Sequence, residues 1–279
     1  MEAVLSVKDL RVQFAQEDDF VEVVHGLDFE IHKGETLAIV GESGSGKSVT
    51  ALALTQLLPK KPRCLLSGEV FIKNSGNLLQ YTEKQLQKIR GEQIAYIFQN
   101  PSTSLNPVLS VGYQVGEAVR LHQPKVKDVK KVVLETLEKV GLKELERCYK
   151  AYPFELSGGM QQRVMIAIAL ACKSQILIAD EPTTALDVTL QKQIMDLLKA
   201  LQKSENLSII LITHNLGLVK NFAQNVLVMF RGKIVERGST EQILLQAQHP
   251  YTQALINCIP SLKKPQKKLI SIDYAALKD

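Results

Sequence analysis

The chain has 279 residues, 45% of them hydrophobic and 23% charged, with a formal net charge of +5. That is the profile of a globular protein with ample core, as one large domain or two modest ones. No apolar run approaches the eighteen or so residues of a membrane span, and the opening Met1-Glu-Ala-Val is no basic-then-apolar signal region, so a cytosolic location is expected. The compact basic patches are Lys60, Lys61 and Arg63, then Lys263, Lys264, Lys267 and Lys268. A solvated surface accounts for them, the alternative being a membrane or nucleic acid. Cys64, Cys148, Cys172 and Cys258 are scattered and the five histidines lack zinc spacing. Neither a disulfide framework nor a transition-metal site is expected, and metal chemistry should be confined to Mg²⁺.

In chain order, Leu10, Val12 and Phe14 alternate with polar neighbours as in a half-buried strand, followed by an acidic loop with Glu17, Asp18 and Asp19. A second strand is expected over about 22–31, ending at the His32-Lys33-Gly34-Glu35 turn, so the opening segment reads as antiparallel. Leu37-Ala38-Ile39-Val40 is a buried strand, and a helix is expected over 49–58. Pro59 and Pro62 then break the chain. Val70-Phe71-Ile72 reads as a short strand, Thr82 to Arg90 as a capped polar helix, and Ile94 to Phe98 as a strand ending at Gln99.

Between about 100 and 172 the pattern turns helical: Val126, Val129, Val133, Leu137 and Val140 share one helix face that stops near Gly141. This reads as a helical subdomain inserted into an α/β core. The core resumes with Ile176-Leu177-Ile178-Ala179, a strand covered on both faces, then an amphipathic helix through Leu190, Ile194, Leu198 and Leu201. Strands at 208–213, 226–230 and 233–236 complete the sheet, with Arg231-Gly232 as a hairpin-like turn. One domain over 1–240 is expected, then a helical segment and basic tail over 241–279.

Two stretches carry chemistry. Gly41-Glu42-Ser43-Gly44-Ser45-Gly46-Lys47-Ser48 lies between strand and helix, the arrangement of a phosphate-binding loop. Its glycines let successive N–H groups converge on phosphate oxygens, and the helix start at Gly46 to Val49 adds its positive dipole end. Lys47 supplies a full charge for the outer phosphates, and the Ser48 hydroxyl is a hard ligand for Mg²⁺. A nucleoside triphosphate is the expected ligand. Asp180 closes the 176–180 strand where a carboxylate can hold Mg²⁺, and Glu181 is placed to polarise an attacking water. The second stretch is Leu156-Ser-Gly-Gly-Met-Gln-Gln-Arg163. Ser157 reads as a helix cap, with Gly158 and Gly159 leaving backbone N–H groups bare: a second anion site, facing another chain's nucleotide.

The ordered set of phosphate loop, Gln99, LSGGMQQR, ILIADE, Ala185-Leu186-Asp187 and His214 resembles the ATPases of ABC transporters, over about residues 4 to 240. YPFELSGGMQQR, IADEPTTALDV, IFQNPSTSLNP and His249-Pro-Tyr-Thr resemble the oligopeptide, dipeptide and nickel importer branch, IADEPTTALDV looking like the first of its two ATPase subunit types. The resemblance implies an α/β P-loop fold with an N-terminal antiparallel β subdomain and the helical insertion. It implies ATP hydrolysis with Mg²⁺. Gln99 would sense Mg²⁺ and the attacking water and relay the state of the membrane partner, and His214 would contact the γ-phosphate. Ser157, Gly158, Gly159 and Asp187 would cross to a second ATPase subunit in a head-to-tail dimer, a sister chain or a second copy. Two transmembrane permease subunits would dock over about 99–122, and a substrate-binding protein would act indirectly, placing the chain on the cytoplasmic face of the membrane. Relatives stack adenine on an aromatic of the opening strands; the candidates here are Phe14 and Phe20, and Phe20 is the expectation. No cysteine follows Cys258, so no iron–sulfur cluster is expected. The rivals, a DNA-repair or translation ATPase and an exporter, lack support from a second cassette, zinc cysteines, basic arms or wording, and no nucleic-acid partner is expected.

Overall fold

The computed structural model describes residues 2–258 apart from Asp18, Asn74 and Ala185; the tail lysines Lys263, Lys264, Lys267 and Lys268 also lie outside the described residues. The chain forms two compact units, one from the described residues of Met1–Gln80 and Ile210–Asp279, the other from Tyr81–Ile209.

The first unit opens with an antiparallel sheet. Strands Ala3–Gln16 and Asp19–His32 pair along their whole length, from Ala3↔His32 to Gln16↔Asp19, and Cys64–Ile72 pairs on the other edge of Ala3–Gln16. These strands are longer than hydrophobic alternation suggested. The first strand starts at Ala3, where buried Val4, Leu5 and Val7 are interrupted by register shifts that break strict alternation, and at the polar hairpin end both strands are held by backbone hydrogen bonds that any residue supplies. Strand Thr36–Val40, buried at every position, runs parallel to Asn225–Phe230, which turns into the antiparallel strand Lys233–Ser239. The turn between these last two places Arg231 at φ +44° and Gly232 at φ +77°, the two positive values that a two-residue type I′ hairpin needs. Ser208–Thr213, which carries the chain from one unit into the other, neighbours Thr36–Val40 on its other side. Under this sheet Ala38, Val40, Val226 and Val228 pack with Leu216, Val219, Ile243, Tyr251 and Leu255.

The helix after the phosphate loop spans Lys47–Ala53, shorter than expected. It closes with Leu57 N–H on the Leu52 carbonyl and Gln56 in left-handed conformation, the 6→1 geometry of a Schellman end, well before the prolines.

The second unit pairs strand Ile94–Ile97 in parallel with Ile176–Asp180. Between them run helices Val111–His122, Val129–Lys139, Leu145–Lys150 and Gly158–Ala171. Their starts follow cap chemistry: Ser110, Asp128 and Ser157 each accept a first-turn N–H. Gly112 is needed for contact, since a Cβ there would lie 2.6 Å from the Tyr149 ring. The amphipathic helix Val188–Ser204 turns Ile194, Met195, Leu198 and Leu201 inward. With the sheet parallel at its core and an antiparallel β region ahead of it, the fold is α/β. Among the described residues no helix is long and apolar enough to cross a membrane.

Where Val188–Ser204 ends, Glu205 accepts from Lys139 at 2.7 Å and Lys173 at 3.1 Å, fastening the ends of three helices. The Lys139 hydrogen bond, aided by Lys173, holds its carboxyl below the usual range against the opposing effect of burial. A depressed folded pKa gives stability present above the unfolded value of about 4.3 and lost as pH falls through the folded value. Glu205→Gln is therefore expected to unfold at lower denaturant than wild type at pH 7, with the difference shrinking as pH falls below the unfolded value of about 4.3; a series of urea titrations from pH 7 downward measures it.

Candidate functional site

The phosphate loop rises from the buried end of Thr36–Val40. Its path depends on glycine at separate points for separate reasons. A Cβ on Gly41 would lie 2.2 Å from the Met229 carbonyl oxygen, so the backbone there passes too close to the neighbouring strand for any side chain. Gly44 has φ +82° and open space where a Cβ would be, so its requirement is conformational. Gly46 has φ +99° and ends the loop as the helix cap, without a side-chain acceptor over the first turn. The loop is pinned from outside by Gly232 N–H, which donates to the Ser45 carbonyl at 3.1 Å. Inside it Lys47 is only 4% exposed, its ammonium donating to the Glu42 carbonyl at 2.7 Å. Ser45 N–H donates to that same carbonyl at 3.2 Å. Ser43 and Gly44 are exposed at the tip, and Ser48 and Val49 are half-buried on the first helical turn. A buried lysine ammonium beside a glycine-rich backbone turn at a helix start suits a multiply charged anion such as a triphosphate.

The antiparallel hairpin meets the loop: the Val23 carbonyl would stand 3.2 Å, and the Val24 side chain 3.6 Å, from a Cβ on Gly46. A bulge at Val23 separates the pairs Val12↔Val24 and Gln13↔Glu22. Beyond it Phe14 pairs with Val21 and Ala15 with Phe20. Directly opposed residues share a face and successive ones alternate, so Phe14 lies on the face of Val12 and Val24, and Phe20 on the other. Phe14 is half-buried and Phe20 is 40% exposed.

In the second unit Asp180 ends its strand 9% exposed. Glu181 follows at φ +46°, a left-handed conformation that costs a non-glycine residue about 1–3 kcal/mol. Its carboxylate accepts from the Gln99 amide at 2.8 Å and the Thr184 hydroxyl at 2.9 Å. The Gln99–Glu181 contact unites two residues 82 positions apart that the sequence reading singled out separately. Thr184 was missed, although it lies in the same DEPTT run; a hydroxyl three residues after a carboxylate was the available signal.

Ser157 caps Gly158–Ala171 by accepting Met160 N–H at 3.4 Å, and Gly158 is exposed beside it. Gly159 is buried against Leu190, whose methyl carbons would stand 3.2 and 3.3 Å from a Cβ. Asp187 caps Val188–Ser204 through Thr189 and Leu190 N–H. His214, exposed, immediately follows Ser208–Thr213 in the first unit. Ala185, between the acidic pair and Asp187, is outside the described residues.

The pattern that defines ABC transporters matches residues 24–184, more than half of the chain. The chain belongs to the ABC transporter family of ATPases. The pattern of the oligopeptide/dipeptide transporter C-terminal region matches residues 235–276. The dipeptide transport ATP-binding protein DppD of Bacillus subtilis (strain 168) is 47% identical, covering 98% of this chain and 82% of its own. The oligopeptide transport ATP-binding protein OppD of the same organism is 48% identical, covering 93% and 72%. Among solved structures, the dimer of the ATP-binding cassette MJ0796 in a post-hydrolysis state with ADP and Pi superposes with a TM-score of 0.73 at 28% identity, covering 85% of this chain and 98% of that one. ATP binding and hydrolysis are thus the family activity this ABC cassette carries, and the α/β fold is the cassette fold.

The donor set suits Mg²⁺ as well. Ser48 in the first unit offers a hydroxyl and Asp180 in the second a buried carboxylate, each by itself a hard oxygen of the kind Mg²⁺ takes beside substrate phosphates. Among the described residues no cluster of three or more His, Cys, Asp or Glu offers a fuller protein cage.

Gly46→Ala tests the loop. A side chain must adopt φ +99° and sit 2.8 Å from the Met229 methyl. The expected outcome is a loss of about 1–3 kcal/mol in urea unfolding together with loss of binding to a fluorescent ATP analogue.

Proposed function

We propose that this chain is the ATP-hydrolysing subunit of a binding-protein-dependent importer, working at the cytoplasmic face of the membrane with a second ATPase subunit and two permease subunits. What carries the reading is the Gln99–Glu181 hydrogen bond at 2.8 Å. An ATPase coupled to an outside partner needs its water-activating carboxylate in touch with a residue that responds to that partner, and this pair provides the contact. Peptides are the proposed cargo, in keeping with the dipeptide and oligopeptide transport named for the relatives; nickel, the other cargo of the branch, has no such support.

In this reading Gly41 to Val49 cradle the phosphates and Lys47 neutralises the outer ones. Mg²⁺, held by Ser48 and Asp180 and sensed by Gln99, would neutralise charge developing on the transferred phosphoryl group. Glu181 takes a proton from the attacking water, and the Gln99 amide and Thr184 hydroxyl fix which oxygen points away from that water. His214 contacts the terminal phosphate. Ser157, Gly158 and Gly159 present bare N–H groups, and with Asp187 they complete a partner subunit's site; that the MJ0796 cassette is a dimer is in keeping with such a partner. A non-identical sister is the proposed partner, and a substrate-binding protein delivers cargo outside. The segment 99–122 is the proposed permease contact.

Adenine stacking is assigned to Phe14 in place of the Phe20 expected from sequence. Phe14 shares the face of Val24, which abuts the phosphate loop, and Phe20 points the opposite way. Phe14→Ala should weaken ATP binding about three- to tenfold, and Phe20→Ala should leave the affinity of the titrated chain unchanged.

The central roles are tested by a pair of variants. Lys47→Ala is expected to lose nucleotide binding. Glu181→Gln should bind ATP, keep its contact with Gln99, and lose turnover by about 10²-fold or more, accumulating as an ATP-bound dimer in size-exclusion chromatography. Wild-type turnover by Glu181→Gln removes the general-base assignment.

A further inference from the structure

The sequence run His249-Pro250-Tyr251-Thr252 marks the peptide-importer branch, yet nothing in the catalytic scheme uses it. In the structure it begins the helix Pro250–Asn257, in the same unit as the phosphate loop. Its placement is heavily specified. The Glu236 carboxylate takes the N–H groups of Gln248 at 2.7 Å and His249 at 3.2 Å. His249 Nδ1 caps the helix by accepting Tyr251 N–H at 3.1 Å, and Pro250 occupies the first turn. The outcome of this anchoring is the position of Tyr251.

Tyr251 is fully buried, its ring centroid 4.2 Å from that of Phe230. Its hydroxyl oxygen accepts the backbone N–H of Glu42 at 2.9 Å. Glu42 is the second residue of the phosphate loop, and its carbonyl holds the Lys47 ammonium. A tyrosine that merely filled the core would bury its hydroxyl at a cost that phenylalanine avoids; here that hydroxyl is spent on a loop amide. Glu42 is thereby clasped on both sides, by Tyr251 at its N–H and by Lys47 at its carbonyl.

We propose that Tyr251 is a positioning residue for nucleotide binding: it fixes the backbone of Glu42 and thereby the place from which Lys47 meets the phosphates. The described start of the peptide-transporter C-terminal region, 235–258, is then a working part of the nucleotide site. This rests on the reading of the loop as the ATP site.

The test uses the full chain as wild type, Tyr251→Phe and His249→Ala. It measures Kd for a fluorescent ATP analogue with Mg²⁺, KM and kcat for ATP hydrolysis, and thermal unfolding. Tyr251→Phe keeps the ring and deletes the hydroxyl that accepts the Glu42 N–H. It is expected to raise Kd and KM roughly five- to tenfold with kcat within about twofold of wild type. His249→Ala removes the cap while Glu236 still holds the N–H groups of Gln248 and His249, so it should lower the unfolding temperature and raise Kd by less than Tyr251→Phe does. Wild-type Kd in Tyr251→Phe, whatever its unfolding temperature, overturns the inference. A wild-type chain that fails to bind the analogue overturns the ATP reading itself, and the inference with it. Should Tyr251→Phe not fold, hydrogen exchange on the wild type decides: slowed exchange across 249–257 on adding nucleotide supports the coupling, and unchanged exchange there defeats it.

Discussion

Lys47 is a cation taken almost wholly out of water, and the surrounding architecture follows from making that tolerable. An ammonium in such a place is stable only with oxygen close by, and the Glu42 carbonyl supplies it at 2.7 Å. That carbonyl is available because the loop doubles back on itself, which requires Gly41 to pass against Met229 and Gly44 and Gly46 to take positive φ. The loop in turn needs a rigid floor: a strand buried at all five positions, a parallel neighbour, and a hairpin whose glycine turn holds the Ser45 carbonyl. A polyanion arriving at the loop finds its counter-charge already desolvated, so little reorganisation stands between binding and a productive geometry.

The second unit stores its preparation differently. Glu181 occupies a backbone region that ordinary residues avoid, and the two donors on its carboxylate hold it there. Asp180 and Glu181 are adjacent in sequence yet differ in surroundings. The first is sealed at a strand end, and the second is half-exposed beyond it, where water has access. One fixed and one accessible carboxylate is the division that the proposed roles, metal holding and proton abstraction, demand of such a pair.

Much of this was legible in the residues. The buried strands at Thr36, Ile176 and Ser208 read directly, because continuous apolar runs leave few alternatives. Thr82 announced its helix, and the structure shows the reciprocal Thr82–Gln85 box that fixes its start. The polar tip of the hairpin and the early end of the loop helix were not legible, since backbone pairing and a left-handed Gln56 leave no hydrophobic signature, and the start of the first strand was masked by the register shifts around Val4 and Val7. The face of Phe20 was hidden for a sharper reason. One extra residue at Val23 reverses the parity of everything toward the hairpin tip, and counting along the sequence cannot detect it. Tyr251 escaped a role because its partner is a backbone amide 209 residues away, and amides carry no sequence identity.

Gly159 lies flush against Leu190, and Leu190 N–H is itself tied to Asp187. The start of one helix and the start of the next are consequently locked like meshed teeth. Ser157 and Asp187, at those two starts, cannot tilt independently. Any push that swings the serine end of its helix must carry the aspartate along, so in the proposed dimer the neighbouring subunit would meet both contacts together or neither, and its grip would engage in one stroke.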